Sequence, residues 1–169
     1  MTVLRQLRRT KITKERRGPT PVLIVNDDAG ACAFLQRMVA SAGYQATGAT
    51  TFEAALLKIS QTLPRCVVLD MASKGGSGGS SLNLLEQLRT NPDPRVSSAR
   101  AVLCTTSAKN RSFSFESGAD GFMVHPFHID ELLAHIADVV ARPQKDRAQH
   151  RRDEIDRPYP DQESVKFSQ

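Results

Sequence analysis

The feature that most constrains this fold is a series of short apolar runs that alternate with longer segments of helical periodicity. The runs are bounded by polar residues and predict strands covered on both faces, as in a parallel sheet. They lie at 22–25, 67–69, 101–104 and 122–124, with a weaker strand at 44–47. Helical segments follow the strands, so the chain predicts an α/β fold: a doubly wound (βα)5 three-layer sandwich with a five-stranded parallel sheet.

The helical segments carry end signals of different strength. Gly43 is the expected C-terminal stop of the first helix, and Thr50 with Glu53 has capping-box spacing at the start of the second. The segment 129–140 has the clearest apolar stripe. In contrast, residues 107–116 are rich in serine and contain asparagine, which are weak helix formers, so the fourth helix should be short or frayed.

The formal net charge of +5 is unevenly distributed along the chain. Residues 1–20 contain seven basic residues (Lys or Arg) and one acidic residue (Asp or Glu), a net charge of +6. Residues 21–141 contain nine basic and eleven acidic residues (−2), and residues 142–169 contain seven basic and six acidic residues (+1). These shifts predict a basic disordered arm, a globular domain and a charged disordered tail, with those boundaries. The arm is either simply solvated or a contact for nucleic acid through counterion release.

Two further features restrict the class of protein. No apolar run approaches the roughly 20 residues of a membrane-spanning helix, so no membrane partner is expected. The three cysteines, Cys32, Cys66 and Cys104, are widely spaced and have mostly apolar neighbours. They therefore predict reduced, buried thiols in a cytoplasmic protein.

Polar residues follow four of the predicted strands at their carboxyl ends. They are Asn26, Asp27, Asp28, Asp70, Thr105, Thr106 and His125. Ligands of open parallel sheets bind beyond these ends, near the point where strand order reverses. Carboxylates beside hydroxyls suit Mg²⁺, and a carboxylate next to that metal can attack phosphorus to form an acyl phosphate.

Four segments, in this order and with nearly the right spacing, resemble the response regulator receiver (CheY-like) domain of two-component signalling. They are VLIVNDD at 22–28, VVLDM at 67–71, LCTTS at 103–107 and GADGFMVHPF at 118–127. The resemblance implies a flavodoxin/CheY-like fold for the domain and assigns roles to its site residues. The implied metal positions are Asn26, Asp27, Asp70 and the backbone of Ala72; the catalytic positions are Asp70 as phosphoacceptor, Thr105 and His125; and the switch positions are Thr105, with Thr106 as its neighbouring alternative, and Phe122.

The resembling site is atypical in four respects. Asn26 replaces an acidic residue and removes one negative charge from the Mg²⁺ site, and His125 replaces a lysine, so the countercharge for a phosphoryl group depends on pH. The loop after Asp70 contains a glycine-serine segment at 75–81 and is about three residues longer than in the family, which raises the entropy cost of ordering it. The segment after Thr105 is shorter than in the family.

The resemblance implies a signalling protein rather than an enzyme. In the favoured interpretation the chain is a stand-alone receiver, phosphorylated on Asp70 by a histidine kinase or a phosphotransfer protein in a phosphorelay, and it signals through protein contacts. The alternative is a pseudo-receiver that binds protein or nucleic acid without phosphorylation. A third interpretation, a hydrolase with Ser77 as nucleophile, rests on a G-x-S-x-G match that a glycine-rich composition produces by itself.

Overall fold

The computed structural model describes residues 18–70 and 79–158, and a five-stranded parallel sheet forms its centre. The strands are β1 (Pro21–Asn26), β2 (Gln45–Ala49), β3 (Cys66–Asp70), β4 (Arg100–Thr105) and β5 (Gly121–Val124). Their order across the sheet is β2-β1-β3-β4-β5, and all neighbours are parallel. This is the flavodoxin-like order, so the predicted doubly wound α/β fold is confirmed.

Helices connect the strands and cover both faces of the sheet. They are α1 (Ala29–Ser41), α2 (Phe52–Thr62), α3 (Gly79–Arg89), α4 (Pro94–Ser97), α5 (Arg111–Glu116), α6 (Ile129–Ala141) and α7 (Arg147–Asp156). The helix α5 has only six residues, as its serine-rich sequence predicts. The short helix α4 was not predicted; Asp93 caps it and Pro94 occupies its first position, where a missing N–H costs nothing.

Two apolar clusters, one on each face of the sheet, form the core. Leu23 and Val25 of β1 pack with α2, α3 and α5, whereas Val22 and Ile24 pack with α1 and α6. All four side chains are at most 1% exposed. Burial on both faces therefore fits the position of β1 inside the sheet, between β2 and β3. The three cysteines are free and buried, as predicted.

Local signals account for the ends of the first two helices. The N-cap of α1 is Asp28, whose carboxylate accepts a backbone N–H of the first turn at 2.7 Å. Gly43 follows the C-cap with a φ of +96°, a conformation that favours glycine. The N-cap of α2 is Thr51 rather than the predicted Thr50, and its hydroxyl accepts a backbone N–H at 3.1 Å. Because Thr50 and Thr51 are both suitable N-cap residues, only the backbone geometry determines which of the two begins the helix.

Residues 144–156 differ from the predicted disordered tail. They form the 3₁₀ turn Gln144–Asp146 followed by α7, which packs beside α5. The buried guanidinium of Arg147 donates to both carboxylate oxygens of Asp120, at 2.7 and 2.9 Å. A segment with few apolar residues is ordered here because the domain offers it a buried carboxylate.

Some predictions concern residues outside the described ones. These are residues 1–17 of the basic arm, residues 71–78 with Ala72 and Ser77, and residues 159–169 of the tail. Within the described part of the chain, no helix combines the length and apolar character needed to cross a membrane.

Candidate functional site

Asp70 lies at the carboxyl end of β3, at the centre of the predicted site. The register of β1 and β3 places Asn26 beside it, and His125, the first residue after β5, reaches its carboxylate. The Asp70 side chain is 5% exposed. The structure therefore brings the ends of β1, β3 and β5 together at the edge where the sequence predicts a ligand site.

Both carboxylate oxygens of Asp70 have a side-chain hydrogen-bond partner. Nε2 of His125 lies 2.8 Å from Oδ1, and Nδ2 of Asn26 donates to Oδ2 at 3.2 Å. The amide oxygen of Asn26 in turn accepts the backbone N–H of Asp28 at 2.9 Å. Asn26 thus supplies a donor to Asp70 where an acidic residue would add a second negative charge.

Burial raises the pKa of Asp70 above its usual range, because desolvation disfavours the charged form. The hydrogen bond and the charge of His125 oppose this increase, and the negative charge of Asp27 adds to it. Asp27 and Asp70 are therefore close enough to interact electrostatically. A cation placed between them would relieve both the desolvation and the repulsion.

The residues at this edge fit a Mg²⁺ ion with two protein carboxylates, those of Asp27 and Asp70. Mg²⁺ commonly binds one or two carboxylates and completes its shell with waters and phosphate oxygens. The amide oxygen of Asn26 accepts a backbone N–H and its nitrogen donates to Asp70, and its role as a metal ligand stays a prediction. Within residues 18–70 and 79–158, no group of three or more His, Cys, Asp or Glu side chains is arranged to hold a metal.

The two predicted switch residues lie on adjacent strands. Thr105 ends β4 and is 5% exposed; its hydroxyl accepts the N–H of Ser107 at 3.3 Å, and its carbonyl accepts the N–H of His125 at 2.8 Å. Thr105 therefore caps the turn that follows β4, and its backbone is hydrogen-bonded to that of His125. Phe122 is 8% exposed and packs against Phe115 of α5, with ring centroids 6.4 Å apart.

Phe127 is a residue of the site that the sequence analysis did not single out. Its ring lies against that of His125, with centroids 4.5 Å apart and planes tilted by 31°. Phe127 and Phe122 both line a cleft of about 490 Å³ beside α6 and the C-terminal end of α7. An aromatic residue two positions after His125 was the available signal, but only the fold shows which ring it contacts.

The sequence matches the response regulator receiver domain over residues 22–137. This match covers more than half of the chain and includes every strand that contributes to the site. The chain therefore belongs to the response regulator receiver domain family, the receivers of two-component signalling.

Comparison with solved structures agrees with this assignment. Chemotaxis response regulator CheY4 of Vibrio cholerae is 20% identical, with a TM-score of 0.61 over 72% of this chain and 98% of that chain, a likeness that shows the fold alone. Response regulator protein TrrA of Thermotoga maritima, solved in complex with Mg²⁺ and BeF, is 26% identical, with a TM-score of 0.59 over 71% of this chain and 98% of that chain.

Curated relatives are longer than this chain. It is 31% identical over 121 residues to the transcriptional regulatory protein PrrA of Mycobacterium leprae, covering 72% of this chain and 50% of that protein. It is 28% identical over 123 residues to the phosphate regulon transcriptional regulatory protein PhoB of Klebsiella pneumoniae, covering 72% of this chain and 52% of that protein. The chain thus spans about half the length of the curated relatives it matches.

Proposed function

We propose that Asp70 accepts a phosphoryl group from a histidine kinase or a phosphotransfer protein, with Mg²⁺ held by Asp27 and Asp70. A carboxylate oxygen of Asp70 forms the new bond to phosphorus while the P–N bond of the partner's phosphohistidine breaks, and its electron pair leaves with the imidazole. Mg²⁺ supplies positive charge that offsets the repulsion between the two anions. The phosphorylated protein then signals through changed protein contacts.

The observation that carries this proposal is the contact between His125 Nε2 and Asp70 Oδ1, at 2.8 Å. A side chain that donates a hydrogen bond to Oδ1 of Asp70 also lies close enough to contact a phosphoryl group attached to that carboxylate. His125 thus supplies a hydrogen-bond donor at the position where the family carries a lysine. The TrrA structure in complex with Mg²⁺ and BeF supports the assignment by similarity.

A second candidate function is a phosphorylation-independent interaction module. It is favoured by the two side-chain hydrogen bonds on Asp70, from His125 and Asn26, which stabilise the carboxylate without a metal or a phosphoryl group. In that case Asp70 has a structural role, and binding of protein or nucleic acid depends on other surfaces, including the basic arm at residues 1–20.

Beryllofluoride, which mimics a phosphoryl group on a carboxylate, distinguishes the two candidates. We expect amide NMR spectra of the whole chain with Mg²⁺ and beryllofluoride to shift at Asp70, Thr105 and Phe122, and to stay unchanged in Asp70→Asn. The matched control is Asp28→Asn, which removes a nearby exposed charge but retains a residue that caps helices well, and it should respond like the wild type.

Substitutions of His125 add a second criterion. His125→Ala removes the donor on Oδ1 of Asp70, so beryllofluoride should bind more weakly than to the wild type, whereas His125→Lys keeps a donor at this position and should retain binding. A wild-type spectrum that fails to respond would contradict phosphorylation of Asp70 and favour the interaction module.

A further inference from the structure

The amino ends of three neighbouring strands bring two arginines side by side. Arg65 directly precedes β3, and Arg100 is the first residue of β4. The carbonyl of Pro21, at the start of β1, accepts the N–H of Arg65 at 2.9 Å, and the carbonyl of Arg65 accepts the N–H of Arg100 at 2.8 Å. Because hydrogen-bonded strands lie about 4.8 Å apart, the backbone holds both arginines at one place on the edge opposite to Asp70.

A small cavity at this edge, here called the arginine cavity, is lined by Arg65, Arg95 and Arg100 together with Pro21 and apolar or small residues. None of the described residues that line it is an Asp or a Glu. Its volume is about 200 Å³, which is the share of about six water molecules at roughly 30 Å³ each. Sites for small molecules usually begin at about 300 Å³, so the arginine cavity has room for a single phosphate group rather than a whole nucleotide.

Two of these arginines reach the C-terminal end of α6. Nη2 of Arg65 donates to the carbonyl of Val140 at 3.2 Å. Arg100, which is 8% exposed, donates to the carbonyls of Val139 and Arg142 at 3.3 and 2.9 Å. Carbonyls at a helix C-terminus carry only partial negative charge. In the described part of the chain, neither Arg65 nor Arg100 forms an ion pair with a carboxylate.

The carboxylates nearest to the arginine cavity already pair with other groups. Asp120 pairs with three arginines of α3 and α7, and Asp93 pairs with Arg95 at 2.8 Å. Burial lowers the pKa of Arg100 below its ordinary value, and the positive charges of neighbouring arginines, Arg65 among them, lower it further, although the charge of Asp120 opposes them. An anion in the arginine cavity would therefore relieve repulsion between the guanidinium groups.

The most basic segment of the sequence directly precedes this cavity along the chain. Residues 1–17 contain seven Lys and Arg residues and one Glu. Arg17 is four positions before Pro21, which lines the cavity, and four residues of chain span at most about 14 Å. Covalent continuity therefore keeps the end of the basic segment within reach of a polyanion that is bound at the arginine cavity.

We propose that the arginine cavity binds one backbone phosphate of a nucleic acid and that residues 1–17 contact neighbouring phosphates of the same molecule. Guanidinium groups suit this ligand because they donate two parallel hydrogen bonds to phosphate oxygens. The exposed large apolar side chains of the described residues do not line the cavity, whereas attachment to a bilayer surface needs such side chains to insert. The proposal concerns a site separate from Asp70 and does not depend on phosphorylation.

Binding of the whole chain to a fluorescein-labelled DNA duplex of about 20 base pairs, followed by fluorescence anisotropy, tests the proposal. The cavity variant, Arg65→Gln with Arg95→Gln, removes two positive charges from the lining. We expect its affinity for the duplex to fall about fivefold or more at about 0.1 M salt. The slope of log K against log salt concentration should become shallower by about one, because one phosphate contact is lost.

The matched control is Arg37→Gln with Arg152→Gln, which changes the net charge equally at two exposed residues outside the cavity. Its affinity should fall less than about twofold, and its salt slope should match that of the wild type. Arg65→Lys with Arg95→Lys keeps both charges and should retain most of the affinity. If the cavity variant is unfolded by amide NMR, Arg95→Gln alone, at a side chain that is 72% exposed, should show a smaller loss in the same direction.

Two outcomes of this comparison would overturn the proposal. Equal losses in the cavity variant and the control would show that only total charge matters. A wild-type chain that fails to bind the duplex at about 0.1 M salt would exclude a nucleic-acid site altogether.

Two further ligands separate a nucleic acid from other sources of phosphate. The duplex should shift the amide NMR signals of Arg65 and Arg100 in the wild type and leave them in place in the Arg65→Gln, Arg95→Gln variant. If pyrophosphate shifts these signals and the duplex does not, the cavity takes a small phosphorylated molecule and the assignment to a nucleic acid is wrong. Tighter binding to phosphatidylglycerol vesicles than to the duplex, at equal phosphate concentration, would overturn it in favour of a membrane surface.

Discussion

At the scale of single residues, two buried aspartates show that the neighbouring charged groups determine whether the pKa of a buried carboxyl rises or falls. Burial by itself raises the pKa of both Asp70 and Asp120. At Asp120 the hydrogen bonds and charge of Arg147, together with the charge of Arg89, outweigh burial and lower the pKa below its usual range. At Asp70 the contact with His125 is too weak to do so. Asp120 is therefore stable as a charged partner of the arginines, whereas a bound cation would stabilise the charged form of Asp70.

The raised pKa of Asp70 predicts that its charge destabilises the fold. The pKa of Asp70 is higher in the native state than in the unfolded state. The destabilisation by its charge is therefore fully present at pH values above the native pKa and disappears as the pH falls below the unfolded pKa. Asp70→Asn should therefore raise the free energy of unfolding by about 1 kcal/mol at neutral pH, and the gain should shrink toward about pH 4. Urea unfolding at both pH values measures it, with Asp28→Asn as the control; a less stable Asp70→Asn variant at neutral pH would contradict the prediction.

At the scale of secondary-structure elements, Asp120 joins segments that are distant in sequence. Arg89 of α3 binds this carboxylate and also donates to the backbone carbonyls of Ala99 and Gly118, just before β4 and β5 begin. Burial lowers the pKa of Arg89 to about 10, although the charge of Asp120 opposes that change. One carboxylate thus connects α3, β5 and α7.

Loss of Asp120 should release α7 and weaken the whole domain. Asp120→Ala leaves buried guanidinium groups without a counterion, so we expect the free energy of unfolding to fall by about 3 kcal/mol or more. The control Asp138→Ala removes a carboxylate whose side chain is 65% exposed and should cost less than about 1 kcal/mol. Denaturant unfolding measures both changes.

The pH dependence of the Asp120 contribution follows from its lowered pKa. Its stabilisation is fully present above the unfolded pKa of about 3.9 and is lost as the pH falls through the lower native value. The difference between wild type and Asp120→Ala should therefore persist at about pH 5 and decrease only in stronger acid. A difference already lost at pH 5 would show that the ion pairs contribute little.

At the scale of the whole molecule, the chain enters the sheet at the edge opposite to the Asp70 site. The chain enters β1 at Pro21, at the amino edge, and the carbonyl of Thr20 accepts the N–H of Gln45 at 2.9 Å. Asp70 lies at the carboxyl edge. Any binding through the arm should therefore be independent of the state of Asp70.

Removal of residues 1–17 tests this independence. All seven cationic residues of the arm lie in that segment, so we expect weaker binding to duplex DNA and a smaller dependence of the binding constant on salt. The thermal unfolding midpoint should stay unchanged, because residues 18–20 remain. Fluorescence anisotropy at several salt concentrations measures the binding, with Asp70→Asn as the control that should bind like the wild type. Equal DNA binding with and without the segment would exclude the arm as the contact.

Sequence periodicity alone determined the layered architecture and the neighbourhood of the site. Alternating apolar runs specify a parallel sheet, and the carboxyl ends of its strands necessarily share one edge, so Asp70 and His125 could be predicted to lie together. The N-cap role of Asp28 was also predictable, because a cap depends on residues within one turn.

Only the tertiary structure decided the roles of Asn26, Phe127 and α7. The register of β1 with β3 places Asn26 beside Asp70, to which it donates a hydrogen bond; its role as a metal ligand stays a prediction. The order of α7 depends on Arg147 meeting a carboxylate 27 positions earlier in the chain. Sequence periodicity indicates which face of a helix or strand is apolar. A buried ion pair instead requires two residues that are distant in sequence to come together in the protein interior, and this depends on how the elements pack.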